Sequence, residues 1–282
     1  MTFFAFNSPF EREAEEYLLQ SKVQVSVLGS ASVFGRWLSA FRLLGQLRQP
    51  TFDLISTHCT FPLAIASWLS GKTVVKTYYG VQLFSWNALS FKEKLVANLL
   101  DRIIIWREKI VFRLSDRVVA ISKYLASEAE RTLGWESEYI YIGVAKGQRP
   151  EAKSQKLADM EKRGKVIILS VSRIVPYKGF DVLIQALEKI DLPWQLLVVG
   201  SYGKESYFKK IKALADGRVT FLRSISDSDL FYLYDLCDLY ALGGKVWEGF
   251  GMPFLEAGLH GKPSVAFKHS ALPEVVIHEK TG

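Results

Sequence analysis

The chain has 282 residues, of which 49% are hydrophobic, and that is material for two cores rather than one. No apolar run reaches the ~20 residues needed to span a bilayer, and no cationic segment precedes an apolar core at the N-terminus, so the expectation is a protein neither integral nor carrying a secretory signal. A formal net charge of +7 calls for an anionic partner: nucleotide phosphate, an acidic membrane surface or nucleic acid.

In the first half, short apolar runs at residues 3–6, 23–28, 52–56, 73–77, 117–121 and 139–142 are bounded by Gly, Pro, Ser or charged residues, as buried parallel strands are. Helical spacing at 11–20, 36–47 and 123–133 separates them. This alternation predicts a doubly wound α/β domain, in which ligands sit beyond the carboxyl ends of the strands. The ends to watch are 7–9, 58–61, 78–82 and Ser122. Cys59 and Cys237 are far apart and follow no metal-ligand spacing, which predicts buried thiols in a reducing, cytoplasmic compartment.

Residues 81–115 break the rhythm. Trp86, Phe91, Trp106 and Phe112 interleave with Lys92, Lys94, Arg102, Arg107, Lys109 and Arg113, and 103–106 is almost wholly apolar. Such a helix can lie on an anionic bilayer, which would make the protein membrane-peripheral. The other reading is an ordinary packed helical pair with a solvated basic face. Residues 146–164 are poor in apolar side chains and rich in charge, as a linker is, and divide 1–145 from 165–282.

The second domain opens with a strand at 165–171 and the turn Ser172-Arg173-Ile174-Val175-Pro176-Tyr177-Lys178-Gly179 before a helix at 180–190. Arg173 and Lys178 thus project near a helix N-terminus, where two fixed cations can clamp a diphosphate; solvated surface charge is the alternative. A strand at 195–199 runs into Gly200-Ser201-Tyr202-Gly203. Helices at 207–215 and 229–237 and strands at 219–222, 238–242 and 262–267 complete the alternation. Between the last two strands lies WEGFGMPFLEAGLHG, residues 247–261. Pro253 suits the first turn of a helix, and Gly249 and Gly251 leave the amides before it uncovered for an anion. Glu248 and Glu256 bracket that turn, and carboxylates accept hydrogen bonds from sugar hydroxyls. The alternative is acidic charge that merely complements the helix dipole.

With seven residues between its two acids, this segment resembles the E-x7-E signature of retaining glycosyltransferases of family 4. The pattern S-R-I-x-P-x-K-G followed by F-D-x-L-I-x-A, and the Gly200 turn, resemble the same family. The resemblance is strong from Lys165 onward and weak before it. It implies a GT-B-like fold, two Rossmann-like doubly wound α/β domains facing across a cleft, with an acceptor-side domain at 1–145 and a nucleotide-sugar donor domain at 165–282. Terminal helices that return to the first domain in that family are expected to be missing. Carried over residue by residue, Arg173 and Lys178 serve the donor phosphates, Glu248 the sugar, and Glu256 the ribose. Gly200, Gly249, Phe250, Gly251 and Met252 complete the donor pocket, with Tyr79 and His58 lining the acceptor side. The family often carries His before a Gly where this chain has Tyr79 and Gly80, and Asn7-Ser8-Pro9 has no glycine where an acceptor-side loop is usually glycine-rich.

The function implied is transfer of a sugar from a nucleotide-sugar donor to an unidentified acceptor, with no cofactor and no metal, since arginine and lysine supply the positive charge. Nucleic acid is not expected as a partner, because the aromatics fall at strand positions rather than on a basic stacking platform. Two alternatives keep the architecture: a nucleotide-sugar 2-epimerase, and a relative that binds donor without turning it over.

Overall fold

The computed structural model describes residues 2–7, 24–30, 40, 43–48, 53–58, 61–81, 91–144, 164–203, 205–223, 225–244 and 247–282, with backbone alone in the first two strands and at 91–97. The expected helix at 11–20, the Pro9 turn, Cys59, Trp86 and all of the linker 146–164 but Gly164 lie outside the described residues. The chain forms two compact units, one of 1–121 and 125–140, the other of 122–124 and 141–282.

In the first unit β1 (Thr2–Asn7) and β2 (Gln24–Ser30) pair in parallel. A second parallel sheet runs β3 (Leu54–Thr57), β4 (Thr73–Tyr78), β5 (Arg117–Ala120) and β6 (Glu138–Tyr139) in that order. Three helices connect them: α1 (Phe61–Leu69), α2 (Phe91–Arg113) and α3 (Lys123–Leu133). Within the basic, aromatic stretch the described residues 91–113 form one helix, α2, and of the strand expected at 139–142 only Tyr139 falls in β6. The core is aromatic: Phe112 meets Tyr78 and Trp135 edge-on at 5.2 and 5.8 Å. Tyr78 also donates to the buried Glu128 at 2.9 Å, which gives that carboxyl a partner.

The second unit is a single five-stranded parallel sheet ordered β11-β10-β7-β8-β9, built from β7 (Val166–Val171), β8 (Trp194–Val199), β9 (Val219–Leu222), β10 (Leu239–Ala241) and β11 (Ser264–Val265). The central strands are continuous apolar runs because both faces are covered. Of the covering helices α4 (Phe180–Leu187), α5 (Glu205–Leu214), α6 (Asp227–Leu236), α7 (Met252–Leu259) and α8 (Leu272–Val275), α4 shows the logic most plainly. Phe180, Leu183, Ile184 and Leu187 recur at three- and four-residue steps, and all four are buried. The chain goes outward from β7 to β8 and β9, then returns to add β10 on the other flank of β7. The strand order thus reverses between β7 and β10, and in folds of this order the ligand site lies beyond the carboxyl ends of the strands at that reversal.

Candidate functional site

Backbone meets backbone at the reversal. The turn after β7 ends in Gly179, in the left-handed region at φ 67°, and a Cβ there would sit 2.1 Å from the Gly243 carbonyl oxygen just past β10. A Cβ on Gly243 would in turn sit 2.2 Å from the Gly179 carbonyl, so neither position admits a side chain. Gly200 closes the same end of the sheet, at φ 151° and with its Cβ position 2.0 Å from the Ser172 carbonyl. Tyr240 ties β10 to β7 from below, donating its hydroxyl to the Val171 carbonyl at 2.9 Å.

Three side chains form the cationic edge of this end. Lys178 Nζ donates to Glu248 Oε2 at 2.5 Å, with the two side chains only 15% and 19% exposed. Arg173, exposed, donates Nη2 to the Tyr177 hydroxyl at 2.6 Å. The Tyr177 ring lies under the Lys178 ammonium, 5.5 Å from its centroid. One tyrosine therefore touches both cations, a role the sequence reading passed over although Tyr177 stands between them in the motif. Lysine has three N–H donors, so the contact with Glu248 leaves two that can meet an anion.

The glycine-bared turn follows. Gly251 caps α7 in the left-handed region, φ 95°, with no side-chain cap, and Pro253 stands in the first turn. A Cβ on Gly251 would press on Leu272 at 2.9 Å and Phe254 at 3.0 Å. Ser122 holds the neighbouring Gly249 carbonyl at 3.0 Å, and the Ala271 amide holds the Glu248 carbonyl at 3.3 Å. His269 completes the grip, its Nε2 lying 2.7 Å from the Gly244 carbonyl oxygen. Glu256, one turn into α7, accepts from the Tyr234 hydroxyl at 2.6 Å. Burial, then the Tyr240 and Glu256 neighbours, push the Tyr234 phenol well above its ordinary range, so it stays a donor. Gly243, Gly244, Tyr234 and His269 were not singled out from the sequence, because their partners are 22 to 67 positions away and no local pattern marks them.

The predicted donor residues Arg173, Lys178, Gly200, Glu248, Gly249, Gly251, Met252 and Glu256 all lie in the second unit. Phe250 lies there too, but its ring is buried, 5.7 Å from the ring of Tyr141, and lines an apolar cavity of about 420 Å³ with Tyr141, Phe254, Leu255 and Leu259. None of the cations or acids just described lines that cavity, so only the Phe250 backbone is left to serve the turn. His58 and Tyr79 come together in the first unit: His58 Nδ1 is 2.7 Å from the Tyr79 hydroxyl, and Nε2 is 3.3 Å from Ser56 Oγ. Burial and then the nearby Lys76 lower the His58 pKa from its ordinary value, which keeps the imidazole neutral at pH 7.

An acidic D-x-D triplet does occur in the chain, Asp227-Ser228-Asp229. It forms the first turn of α6, where Ser226 accepts from the Asp229 amide at 3.1 Å and acidic charge complements the helix dipole. Among the described residues no group of three His, Cys, Asp or Glu side chains could hold a metal ion.

Two family models match end to end: "Glycosyltransferase Family 4" over residues 1–146 and "Glycosyl transferases group 1" over 152–282. An uncharacterized glycosyltransferase of Haemophilus influenzae is 30% identical over 68% of this chain and 58% of its own. The GDP-mannose-dependent alpha-(1-6)-phosphatidylinositol monomannoside mannosyltransferase of Mycobacterium tuberculosis is 30% identical over 60% of this chain and 48% of its own. The chain thus spans about half to three fifths of the length of these relatives. Among solved structures, Anabaena Alr3699/HepE in complex with UDP and glucose superposes with a TM-score of 0.75 at 21% identity, covering 99% of this chain and 83% of that one. Two parallel-sheet units in Rossmann-like style, the GT-B-type likeness and both family models agree, and the chain belongs to glycosyltransferase family 4.

Proposed function

We propose that the protein is a retaining glycosyltransferase that moves a sugar from a nucleotide-sugar donor to an acceptor without a metal ion. The observation that carries this reading is the meeting, within one unit, of the Lys178–Glu248 pair, the Tyr177-braced Arg173 and the uncapped Gly251 helix tip at the reversal of strand order. The relatives support the donor class: the mycobacterial mannosyltransferase is GDP-mannose-dependent, and the Anabaena protein was solved with UDP-glucose.

Departure of the nucleotide leaves negative charge on its diphosphate and positive character at the anomeric carbon. Fixed cations and oriented amides aimed at the leaving group lower that barrier, because they need no reorganisation as charge develops. Arg173 and Lys178 take the diphosphate in this scheme, with Glu248 holding the ammonium in place and the turn at 249–252 supplying amides. Glu256 accepts from the ribose hydroxyls. Retention follows from the acceptor hydroxyl attacking on the face the nucleotide leaves, so no protein nucleophile is invoked. His58 and Tyr79 serve the acceptor side, the neutral imidazole being able to accept a proton. The protein works in the cytoplasm in this reading, consistent with the buried thiol of Cys237.

The test is turnover of UDP-, GDP- and ADP-sugars by wild type, Arg173→Ala and Lys178→Ala. Each variant should lose about 10²–10³-fold in kcat, the range for removing one preorganised donor to developing charge. Undiminished transfer by either variant refutes its role. Donor binding by wild type with neither transfer nor hydrolysis would favour the non-catalytic alternative, and inversion at C2 without acceptor the epimerase.

A further inference from the structure

The first unit carries a surface that donor chemistry does not use. On α2, Leu99, Ile103 and Trp106 succeed one another at four- and three-residue steps and share a face. They are 61%, 45% and 60% exposed. Arg102, Lys109 and Arg113, at seven- and four-residue steps, run as a second stripe beside them, Arg102 and Arg113 exposed and Lys109 half-buried. The acids between 99 and 113, Asp101 and Glu108, fall on the far side of the helix, and Asp101 is buried. α1 extends the apolar area: Phe61 lies 6.4 Å from the Trp106 ring, and two turns along the same face Trp68 is 53% exposed.

A helix turned only to water keeps charges of both signs on its outer face and its tryptophans inside. This face does the reverse, setting two indoles and two aliphatic side chains beside cations alone. Indoles favour the level of lipid headgroups, aliphatic side chains the acyl boundary beneath, and long basic side chains reach back to lipid phosphates. A second copy of the chain would bring the same three cations against these three, which disfavours a symmetric dimer through this face. No helix among the described residues is long and apolar enough to cross a membrane, so the contact is one of lying on the surface.

We propose that this face of α1 and α2 docks the protein onto an anionic lipid bilayer. The inference is independent of the donor-site reading. It is tested by co-sedimentation of the full chain with phosphatidylcholine vesicles that contain about 30 mol% phosphatidylglycerol or none, at low salt and at about 0.5 M salt. Wild type should sediment with the anionic vesicles at low salt and lose most of that binding at high salt or without phosphatidylglycerol. The double variant Ile103→Ser, Trp106→Ser should bind about tenfold more weakly at unchanged thermal stability, since both side chains are exposed. The triple variant Arg102→Glu, Lys109→Glu, Arg113→Glu should lose binding and its salt dependence together. Equal sedimentation of wild type and both variants, or none with anionic vesicles, overturns the proposal. So does concentration-dependent self-association that disappears in the double variant, which would give the face to a second copy.

Discussion

Tyr234 shows how much a single hydroxyl can govern. It is buried, kept protonated, and aimed at Glu256, the acid assigned to the ribose. A hydrogen bond to a charged group contributes about 1.5–3 kcal/mol, so Tyr234→Phe should raise the donor KM by about tenfold or more while leaving kcat nearly intact. The preference for a ribonucleotide donor over its 2′-deoxy counterpart should shrink in parallel. A KM and a ribose preference both unmoved would remove Tyr234 from any part in positioning Glu256. His58 carries a prediction of the opposite kind, on stability. Its folded pKa lies below the ordinary value, first through burial and then through Lys76. As pH falls through about 6.5 the unfolded chain takes up a proton that the folded chain declines, so the stabilisation present above that pH is lost below it. Urea unfolding of wild type should weaken between pH 7.5 and 5.5 by more than that of His58→Gln. The residue as a whole is exposed, so the difference is read as a slope rather than as a large offset. Parallel pH profiles would show that this histidine is not the group responsible.

At the scale of elements, two glycines of the second unit make opposite demands. Gly179→Ala places a methyl against the Gly243 carbonyl and does so at a positive φ, so it should cost several kcal/mol, on the order of 2–4. Gly258 lies within α7, has nothing within 4 Å of its Cβ position, and is exposed. Its replacement by alanine should stabilise by about 0.5–1 kcal/mol through helix propensity. Chemical denaturation of the two variants checks both, and equal effects would mean that the close approach of the two turns is not what requires glycine at 179. The same contrast explains what was legible. Arg173, Lys178, Glu248 and Glu256 stand in contiguous patterns, and the helices and strands around them follow from the periodicity of apolar side chains. The Gly179–Gly243 contact spans 64 positions and the Tyr234–Glu256 bond 22, and neither leaves a periodic trace. Phe250 illustrates the converse: it sits in the middle of the recognised segment, yet packing against Tyr141 turns its ring into an apolar cavity.

For the whole molecule the donor reading predicts a thermal response. A ligand that binds only the folded chain stabilises it by RT ln(1 + [L]/Kd), about 2.7 kcal/mol at a hundred times Kd. One of UDP, GDP and ADP should therefore raise the melting temperature by several degrees, and Lys178→Ala should abolish most of that rise. A flat response to all three nucleotides would count against a diphosphate site in the second unit. The alternation of apolar runs with helical stretches, read alone, determined that this chain folds as parallel α/β structure in two parts, and the E-x7-E and Arg-Lys segments determined its family resemblance. Only the tertiary structure decided that β10 lies beside β7 rather than β9, that Tyr177 braces both cations, and that Glu248 grips Lys178. The reason is physical: periodicity records which side of an element is buried, whereas neighbours in a sheet are chosen by how right-handed crossovers of different length pack back onto it.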